Sequence, residues 1–146
     1  MFILFYNPYL KNHYNICGER ERIKKKFSCR LTKSIWLQFG TDIKLLEKEI
    51  NFLNDSVLNN SSQSKDKNVK IFGSLLIPSK EFISRFKFRP WKGVFISEKY
   101  LNSLDDFYAF TKDLIEIYLD NNICPIIETE CSSIKKLQDI HSLMKK

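Results

Sequence analysis

The sequence has little glycine, proline or alanine, and it contains no long apolar run. Four Gly and four Pro in 146 residues are too few for an all-β protein built on many tight turns. No apolar stretch approaches the ~20 residues of a membrane-spanning helix, so we expect no association with a membrane. Glycine-rich nucleotide loops, the HExxH motif and the nucleophile elbow are also missing. The sequence therefore offers none of these local motifs as a pointer to its chemistry.

The cysteines form no recognisable metal or redox motif. They occupy positions 17, 29, 124 and 131, with no CxxC spacing and no histidine nearby at ligand spacing. We therefore expect reduced, mostly structural cysteines in a cytoplasmic protein, and no bound metal. The spacing leaves a Cys17–Cys29 pair open as the alternative.

What the sequence does contain is enough apolar residues for a core and an uneven distribution of charge. Hydrophobic residues make up 43% of the chain, whose length suits a single domain over residues 1–146. Residues 1–38 carry eight Lys and Arg against two Asp and Glu, and residues 65–99 carry nine against three. Such basic zones attract phosphates, nucleotides or nucleic acid. A compositional bias towards lysine would explain the net charge of +7. It would explain the clustering of the basic residues less well.

Apolar strands alternate with amphipathic helices along the chain. Strands are predicted at 2–6, 34–39, 69–77 and 125–129, and helices at 19–29, after Thr41 or Asp42, at 79–86, at 105–121 and after Ser133. In the last helix, Ile134, Leu137, Ile140 and Met144 are expected to face inward. This order predicts an α/β fold with a parallel sheet. Four βα units are half of a (β/α)8 barrel, and an open four-stranded parallel sheet is the competing architecture.

Ligands of parallel α/β folds bind at the carboxyl ends of the strands, where this sequence places Gln38. Its amide interrupts the apolar run SIWLQF and has two donors and an acceptor to satisfy. It could bind a heteroaromatic ring or satisfy neighbouring backbone. Because side chains alternate along a strand, Gln38 shares a face with Trp36, and Ile35 and Leu37 face the helices.

Two basic patterns also have both a functional and a structural interpretation. The segment Arg85–Trp91 (RFKFRPW) interleaves cations with aromatic rings, as surfaces that stack nucleic-acid bases do. Phe82 and Phe86 lie four residues apart, however, and fit a helix core equally well. Lys24–Lys26 could contact phosphates, although a charge run on a helix is usually a solvated face.

The phrases SIWLQFGTD and VKIFGSLLIPS, followed by a helix ending at Phe86, resemble the second half of the methylenetetrahydrofolate reductase barrel. That family carries a Thr-Gln-Phe type phrase ending in Asp, then a Pro-Gly-Ile type strand and a helix with a ligand-stacking Phe. The opening FYNPY is similar to its Tyr-Pro strand, and the basic helix that follows is similar to its flavin-contacting helix. The resemblance spans nearly the whole chain. It implies a partial (β/α)8, or TIM, barrel.

The resemblance implies roles for five residues. Gln38 would hydrogen-bond the folate pterin, and Phe86 would pack against folate or the reduced nicotinamide. Tyr6 would contact the flavin, and Lys25 and Lys26 would face the FAD phosphates. The implied activity is that of a flavoprotein oxidoreductase that reduces methylenetetrahydrofolate, with FAD as cofactor and NADH or NADPH as electron donor.

The sequence also departs from the family pattern. Leu10 stands near the position of the family's His, with His13 displaced, and residues 130–132 replace an expected Arg. The family's catalytic acid belongs to the first half of the barrel, which these residues do not include. We therefore expect a reductase-like protein of one-carbon and methionine metabolism, incomplete as a lone chain, that self-associates or joins a partner chain completing the barrel. The alternatives are a basic nucleic-acid or nucleotide-binding α/β module and a scaffold without catalysis.

Overall fold

The computed structural model describes residues 2–28, 32–55, 69–129 and 133–143. Within these ranges, strands and helices alternate along most of the chain. The strands are β1 (Phe2–Tyr6), β2 (Thr32–Leu37), β3 (Lys70–Leu76) and β4 (Cys124–Glu128). The helices are α1 (His13–Ser28), α2 (Ile43–Leu53), α3 (Lys80–Phe88), α4 (Glu98–Asn102), α5 (Leu104–Asp120) and α6 (Ile134–Leu143).

The four strands form one parallel sheet in the order β1-β2-β3-β4, which is also their order along the chain. One row of paired residues crosses the whole sheet, through Phe5, Trp36, Phe72 and Cys124. Because side chains alternate along a strand, this row marks one face, and residues one position away, such as Leu37, belong to the other. The predicted α/β class with a parallel sheet is confirmed.

One face of the sheet packs against helices, and we call it the helix-covered face. Its strand residues include Leu4, Tyr6, Ile35, Leu37 and Leu75, none of which is more than 4% exposed. Burial of such apolar side chains contributes ~1.5–3 kcal/mol each to folding. The core of the described residues therefore lies between this face and the helices.

At Gly73 the sheet and helix α5 come unusually close. A Cβ atom at this position would lie 2.4 Å from the ring of Tyr118 in α5. The Tyr118 hydroxyl donates a hydrogen bond to the carbonyl oxygen of Ser74 at 3.0 Å, which fixes the ring over the strand. Only glycine leaves room for this ring, so the residue type at this position determines how closely α5 packs.

The opposite face, which we call the open face, carries Ile3, Phe5, Trp36, Phe72 and Ile126. Phe5 is 59% exposed and Ile3 48%, so no described part of the chain covers the β1 side of this face. The ring of Phe5 stacks on Trp36 with 5.0 Å between centroids, and the Trp36 indole N–H donates to the Ser74 hydroxyl at 2.7 Å. Parallel sheets are normally buried on both faces, so an accessible apolar face is unusual.

Several helix boundaries follow the local signals that predicted them. The helix predicted at 105–121 is α5, which begins one residue earlier and ends one residue earlier. Asp42, one of the two predicted caps, accepts a hydrogen bond from the N–H of Leu45 at the start of α2. Ser79 caps α3 in the same way, through the N–H of Phe82. These side chains satisfy backbone donors that the first helical turn leaves unpaired.

Two other predictions about helices were wrong. Helix α1 begins at His13, six residues before the predicted start, and in its first turn the N–H of Ile16 donates to the carbonyl oxygen of Asn12 at 3.0 Å. Of the residues predicted to face inward from α6, Ile140 is buried, whereas Ile134 is 76% exposed and Leu137 55%; Met144 lies outside the described residues. Helix α6 follows the edge strand β4, and no described element packs against that side of it. The short helix α4 was not predicted at all.

Candidate ligand site at the carboxyl end of the sheet

Gln38 directly follows β2 and lies at the carboxyl end of the sheet. Its backbone N–H donates to the carbonyl oxygen of Tyr6 at 2.8 Å, so pairing of the first two strands extends to this residue. The side chain is half-buried, and its Oε1 accepts from the N–H of Phe39 at 3.2 Å. Its Nε2 lies 4.0 Å from where a Cβ of Gly93 would be. The side chain therefore lies outside the helix-covered face, as the alternation along β2 predicts.

Residues 91–97 cross the same end of the sheet and form one wall of the site. Phe95 makes a parallel bridge with Gly40, and the Asn7 side-chain nitrogen donates to the carbonyl oxygen of Gly93 at 3.0 Å. Gly93 has a φ of +84°, which residues with a side chain rarely adopt. This turn brings its carbonyl to Asn7 and its α carbon towards Gln38. The two amide side chains and the backbone at Gly93 therefore share one location.

Phe86 lies beside this wall, but its ring is enclosed. It is 5% exposed and packs against Phe82 and Trp91, with centroid distances of 5.7 Å and 6.4 Å. Trp91 is 46% exposed and presents the accessible ring of this cluster. The structure thus places Phe86 in the core. This agrees with the structural interpretation of the four-residue spacing between Phe82 and Phe86. A ligand ring at this end would meet Trp91 before Phe86.

Tyr6 lies on the helix-covered face and is 1% exposed. Its hydroxyl donates to the carboxylate of Glu49, which also accepts from Arg20 at 2.9 Å and 2.5 Å. Burial raises the pKa of Tyr6, and the Glu49 carboxylate raises it further, so the phenol remains a protonated donor. These three side chains tie β1 to α1 and α2. The structure does not bring Tyr6 to the accessible surface or to Gln38.

Lys25 and Lys26 occupy the last turn of α1, where both are exposed. That turn lies at the beginning of β2, because the Thr32 hydroxyl donates to the carbonyl oxygen of Lys26 at 3.4 Å. Strands rise ~3.3 Å per residue, so the length of β2 separates these lysines from Gln38 by about 20 Å. The structure therefore places the two predicted parts of the site at opposite ends of the sheet.

Two lysines that sequence reasoning did not single out lie nearer to Gln38. The Nζ of Lys11 is 3.7 Å from the centroid of the Phe95 ring, a cation–π contact. Lys92 is exposed and directly precedes Gly93. No local motif marks either residue, because their approach to Gln38 depends on residues 91–97 folding over the end of the first two strands.

The segment RFKFRPW divides between core and surface. Phe86 belongs to the core, whereas Phe88 is 92% exposed and Trp91 46%. Lys87 and Arg89 are also exposed. We call Lys87, Phe88, Arg89 and Trp91 the basic-aromatic surface. An exposed ring between cations has the chemistry of a surface that stacks bases and neutralises phosphates.

The residues that the structure describes show neither a metal centre nor a membrane-crossing helix. No three of their His, Cys, Asp or Glu side chains are placed to hold a metal ion. Each of their helices is too short or too polar to cross a membrane. Cys17 and Cys124 are exposed, whereas Cys29 and Cys131 lie outside the described residues, so the Cys17–Cys29 alternative stays a prediction.

The site at the end of the sheet has the chemistry of ring recognition. Gln38 and Asn7 offer amide donors and acceptors, and Trp91 and Phe95 offer apolar rings. Lys11 and Lys92 add positive charge. Together these six side chains can orient a ligand through hydrogen bonds, ring contacts and positive charge.

No protein-family model matches the chain, and no curated protein or solved structure matches it either. The resemblance to methylenetetrahydrofolate reductase therefore rests on the sequence phrases alone.

Proposed function

We propose that this chain is half of a (β/α)8 barrel and binds a folate at the carboxyl end of its sheet, as a methylenetetrahydrofolate reductase-like protein. The strand order supports the half-barrel. In doubly wound sheets the order reverses at a switch point, whereas here each strand lies beside its predecessor, as it does around a barrel. Helices cover one face and leave the other partly accessible. The open face would become the interior of the completed barrel.

One observation carries the folate assignment, which is the position of the Gln38 amide. It lies at a strand end, off the helix-covered face and next to Gly93. A pterin edge alternates hydrogen-bond donors and acceptors, and a primary amide can match such an edge with one of each. The half-exposed Trp91 offers a ring for stacking nearby. Among the five residues implied by the resemblance, Gln38 is the one whose position supports its role.

The residues implied for FAD do not fit that cofactor as a group. Tyr6 is buried beneath helices, and Lys25 and Lys26 lie at the far end of the sheet from Gln38. We therefore derive no step through a flavin. The family's catalytic acid belongs to strands outside this half-barrel, so hydride transfer between NADH or NADPH, flavin and folate is not assigned to these residues. Their part in the proposal is to bind and orient the folate.

Calorimetric titration with 5-methyltetrahydrofolate tests the proposal. We expect the wild-type chain to bind and Gln38→Leu to weaken binding by about 5- to 150-fold, because an unpaired buried polar group costs ~1–3 kcal/mol. Gln138→Leu is the matched control, since Gln138 is exposed on α6 and far along the chain from the site. Circular dichroism checks that both variants keep the fold. Absence of binding by the wild-type chain, or equal loss in both variants, would contradict the folate assignment.

The basic-aromatic surface favours a second candidate function, the binding of single-stranded nucleic acid. A ring as exposed as Phe88, at 92%, between two cations is available for stacking. Binding of an oligonucleotide should weaken steeply with salt, and replacing Lys87 and Arg89 by Ala should reduce the slope by ~0.7 for each lost phosphate contact. Phe88→Ala should weaken binding at every salt concentration. Salt-independent or absent binding would remove this candidate.

A further inference from the structure

We infer that the partner that completes the barrel is a second copy of this chain, joined head to tail so that β4 of each copy lies beside β1 of the other. This inference rests on the proposed half-barrel and names its partner. Two copies supply eight parallel strands, the number that closes a (β/α)8 barrel. A two-fold axis along the barrel keeps all strands parallel. Pairing β4 with β1 of the second copy then has the same parallel arrangement as the pairing of β1 with β2 within one copy.

The two edges of the sheet carry opposite charge, which selects a head-to-tail arrangement. Residues 2–28, which form β1, α1 and their connection, contain six Lys and Arg and two Asp and Glu. Elements α5, β4 and α6 contain three Lys and seven Asp and Glu. In the closed dimer a basic edge meets an acidic edge twice. Such complementarity speeds encounter and disfavours the arrangement that would bring like edges together.

Apolar side chains are exposed along both edges. On the β1 side, Ile3 is 48% and Phe5 59% exposed. On the β4 side, Ile127 is 38% exposed, Ile134 76% and Leu137 55%. In a (β/α)8 barrel the helix after each strand packs between that strand and the next one. The exposed side of α6 therefore lies where β1 and α1 of the second copy would cover it.

The size of the open face argues against simple face-to-face stacking. Four strands of about five residues span an area on the order of 300 Å². Stable dimers bury ~800 Å² on each partner, so the open face alone is too small. Head-to-tail closure adds both strand edges and the exposed side of α6 to the contact. The closed barrel is therefore the arrangement that adds contact area beyond the open face.

In the single chain, side chains of α1 occupy the outer edge of β1. Arg22 donates to the carbonyl oxygen of Phe5, and Glu19 accepts from the N–H of Asn7 at 3.3 Å. The same two side chains form an ion pair of 2.7 Å. These backbone groups point away from β2, and they are the ones that β4 of a second copy would pair with. The Glu19–Arg22 pair thus shields a strand edge that closure must uncover.

Reciprocal charge reversal tests the inference by sedimentation equilibrium of the intact chain. One variant changes each of Lys24–Lys26 to Glu, which makes both edges acidic. The other changes Asp113, Asp120 and Asp139 to Lys, which makes both edges basic. All these aspartates are exposed, and the lysines lie on the exposed face of α1. We expect each variant alone to dimerise at least about tenfold more weakly than wild type, and an equimolar mixture to recover a dimer.

Hydrogen exchange provides the second measurement. In the wild-type dimer we expect slower exchange along β4, because amides at its outer edge become paired. We also expect slower exchange at Asn7, because its N–H exchanges the Glu19 carboxylate for a backbone acceptor. A wild-type chain that stays monomeric at high concentration, or a mixture that does not recover, would overturn the inference. So would a dimer in which neither strand gains protection. Folate titration separates the two proposals, since a monomer that binds folate refutes only the dimer, and a dimer that binds none refutes only the folate site.

Discussion

Removing Arg20 should destabilise the protein strongly, because its partner Glu49 is almost fully buried. The Glu49 side chain is 2% exposed and accepts two hydrogen bonds from Arg20 and one from Tyr6. Breaking a buried ion pair costs ~3–5 kcal/mol when the remaining charge stays buried. The Arg20 side chain is 26% exposed, so water can enter its place and bring the cost to the lower end of that range. We expect Arg20→Met to lower the free energy of unfolding by about 3 kcal/mol.

A double-mutant cycle in urea, followed by circular dichroism, measures this coupling. Glu49→Gln removes the buried charge. The double variant Arg20→Met with Glu49→Gln should therefore lose at least ~1 kcal/mol less free energy of unfolding than the sum of the two single variants. Tyr6→Phe should cost ~1.5–3 kcal/mol, because its hydroxyl donates to a charged carboxylate. It should leave folate binding unchanged, because this hydroxyl serves the fold. A free energy of unfolding for Arg20→Met within about 0.5 kcal/mol of wild type would refute the reasoning, since the buried Glu49 charge would then not depend on Arg20.

Two further stability effects follow from close packing and from buried phenols. Gly73→Ala should destabilise by ~1–3 kcal/mol, because its Cβ would lie 2.4 Å from the Tyr118 ring, whereas Gly18→Ala, with no neighbour within 4 Å, should stabilise α1 by ~0.5–1 kcal/mol in the same urea assay. Burial raises the pKa of Tyr6, Tyr9 and Tyr118. The unfolded chain loses these protons near pH ~10 while the folded chain keeps them, so the contribution of the three phenols to stability is constant below that pH and falls above it. We expect a slope of ~1.4 kcal/mol per pH unit for each phenol, and Tyr6→Phe should remove one of the three contributions.

The order and type of the main elements could be predicted because local signals and tertiary packing agree. Helix α5 has acidic residues in its first turn, a capping Ser103 and apolar residues at helical spacing, and all three signals identify the same segment. The strands are short apolar runs between polar loops. Helix α1 shows the limit of this reasoning, since Gly18 and the residues around it lack apolar periodicity. The helix nevertheless extends through them, and no atom lies within 4 Å of where a Cβ of Gly18 would be.

Periodicity shows which residues share a face, but it does not show what covers that face. Ile134, Leu137 and Ile140 share one side of α6, yet only Ile140 is buried. Whether the other two are covered depends on an element beyond the edge strand. The same distinction applies to the open face of the sheet. An apolar pattern in one chain can therefore describe a surface that is completed only by another chain.

The candidate site was predictable where alternation along one strand decided the outcome. The orientation of Gln38 followed from its apolar neighbours in β2. The position of Tyr6 did not, because its partner Glu49 lies 43 residues away in the sequence. The contribution of Asn7 and Gly93 depends on contacts across 86 residues. Such long-range contacts leave no local pattern, so these parts of the site could not be found from spacing alone.

The strand order also determines when each part of the molecule can form during synthesis. Every strand pairs with the strand made just before it, so the sheet can grow one βα unit at a time as the chain leaves the ribosome. The wall of the candidate site forms later than the first strand pairs. Gly40 pairs with Phe95 and Asn7 donates to Gly93, and both partners are synthesised after these residues. These contacts join Asn7 to a residue made 86 positions later and Gly40 to Phe95. The nascent protein therefore possesses paired strands well before the candidate site can form.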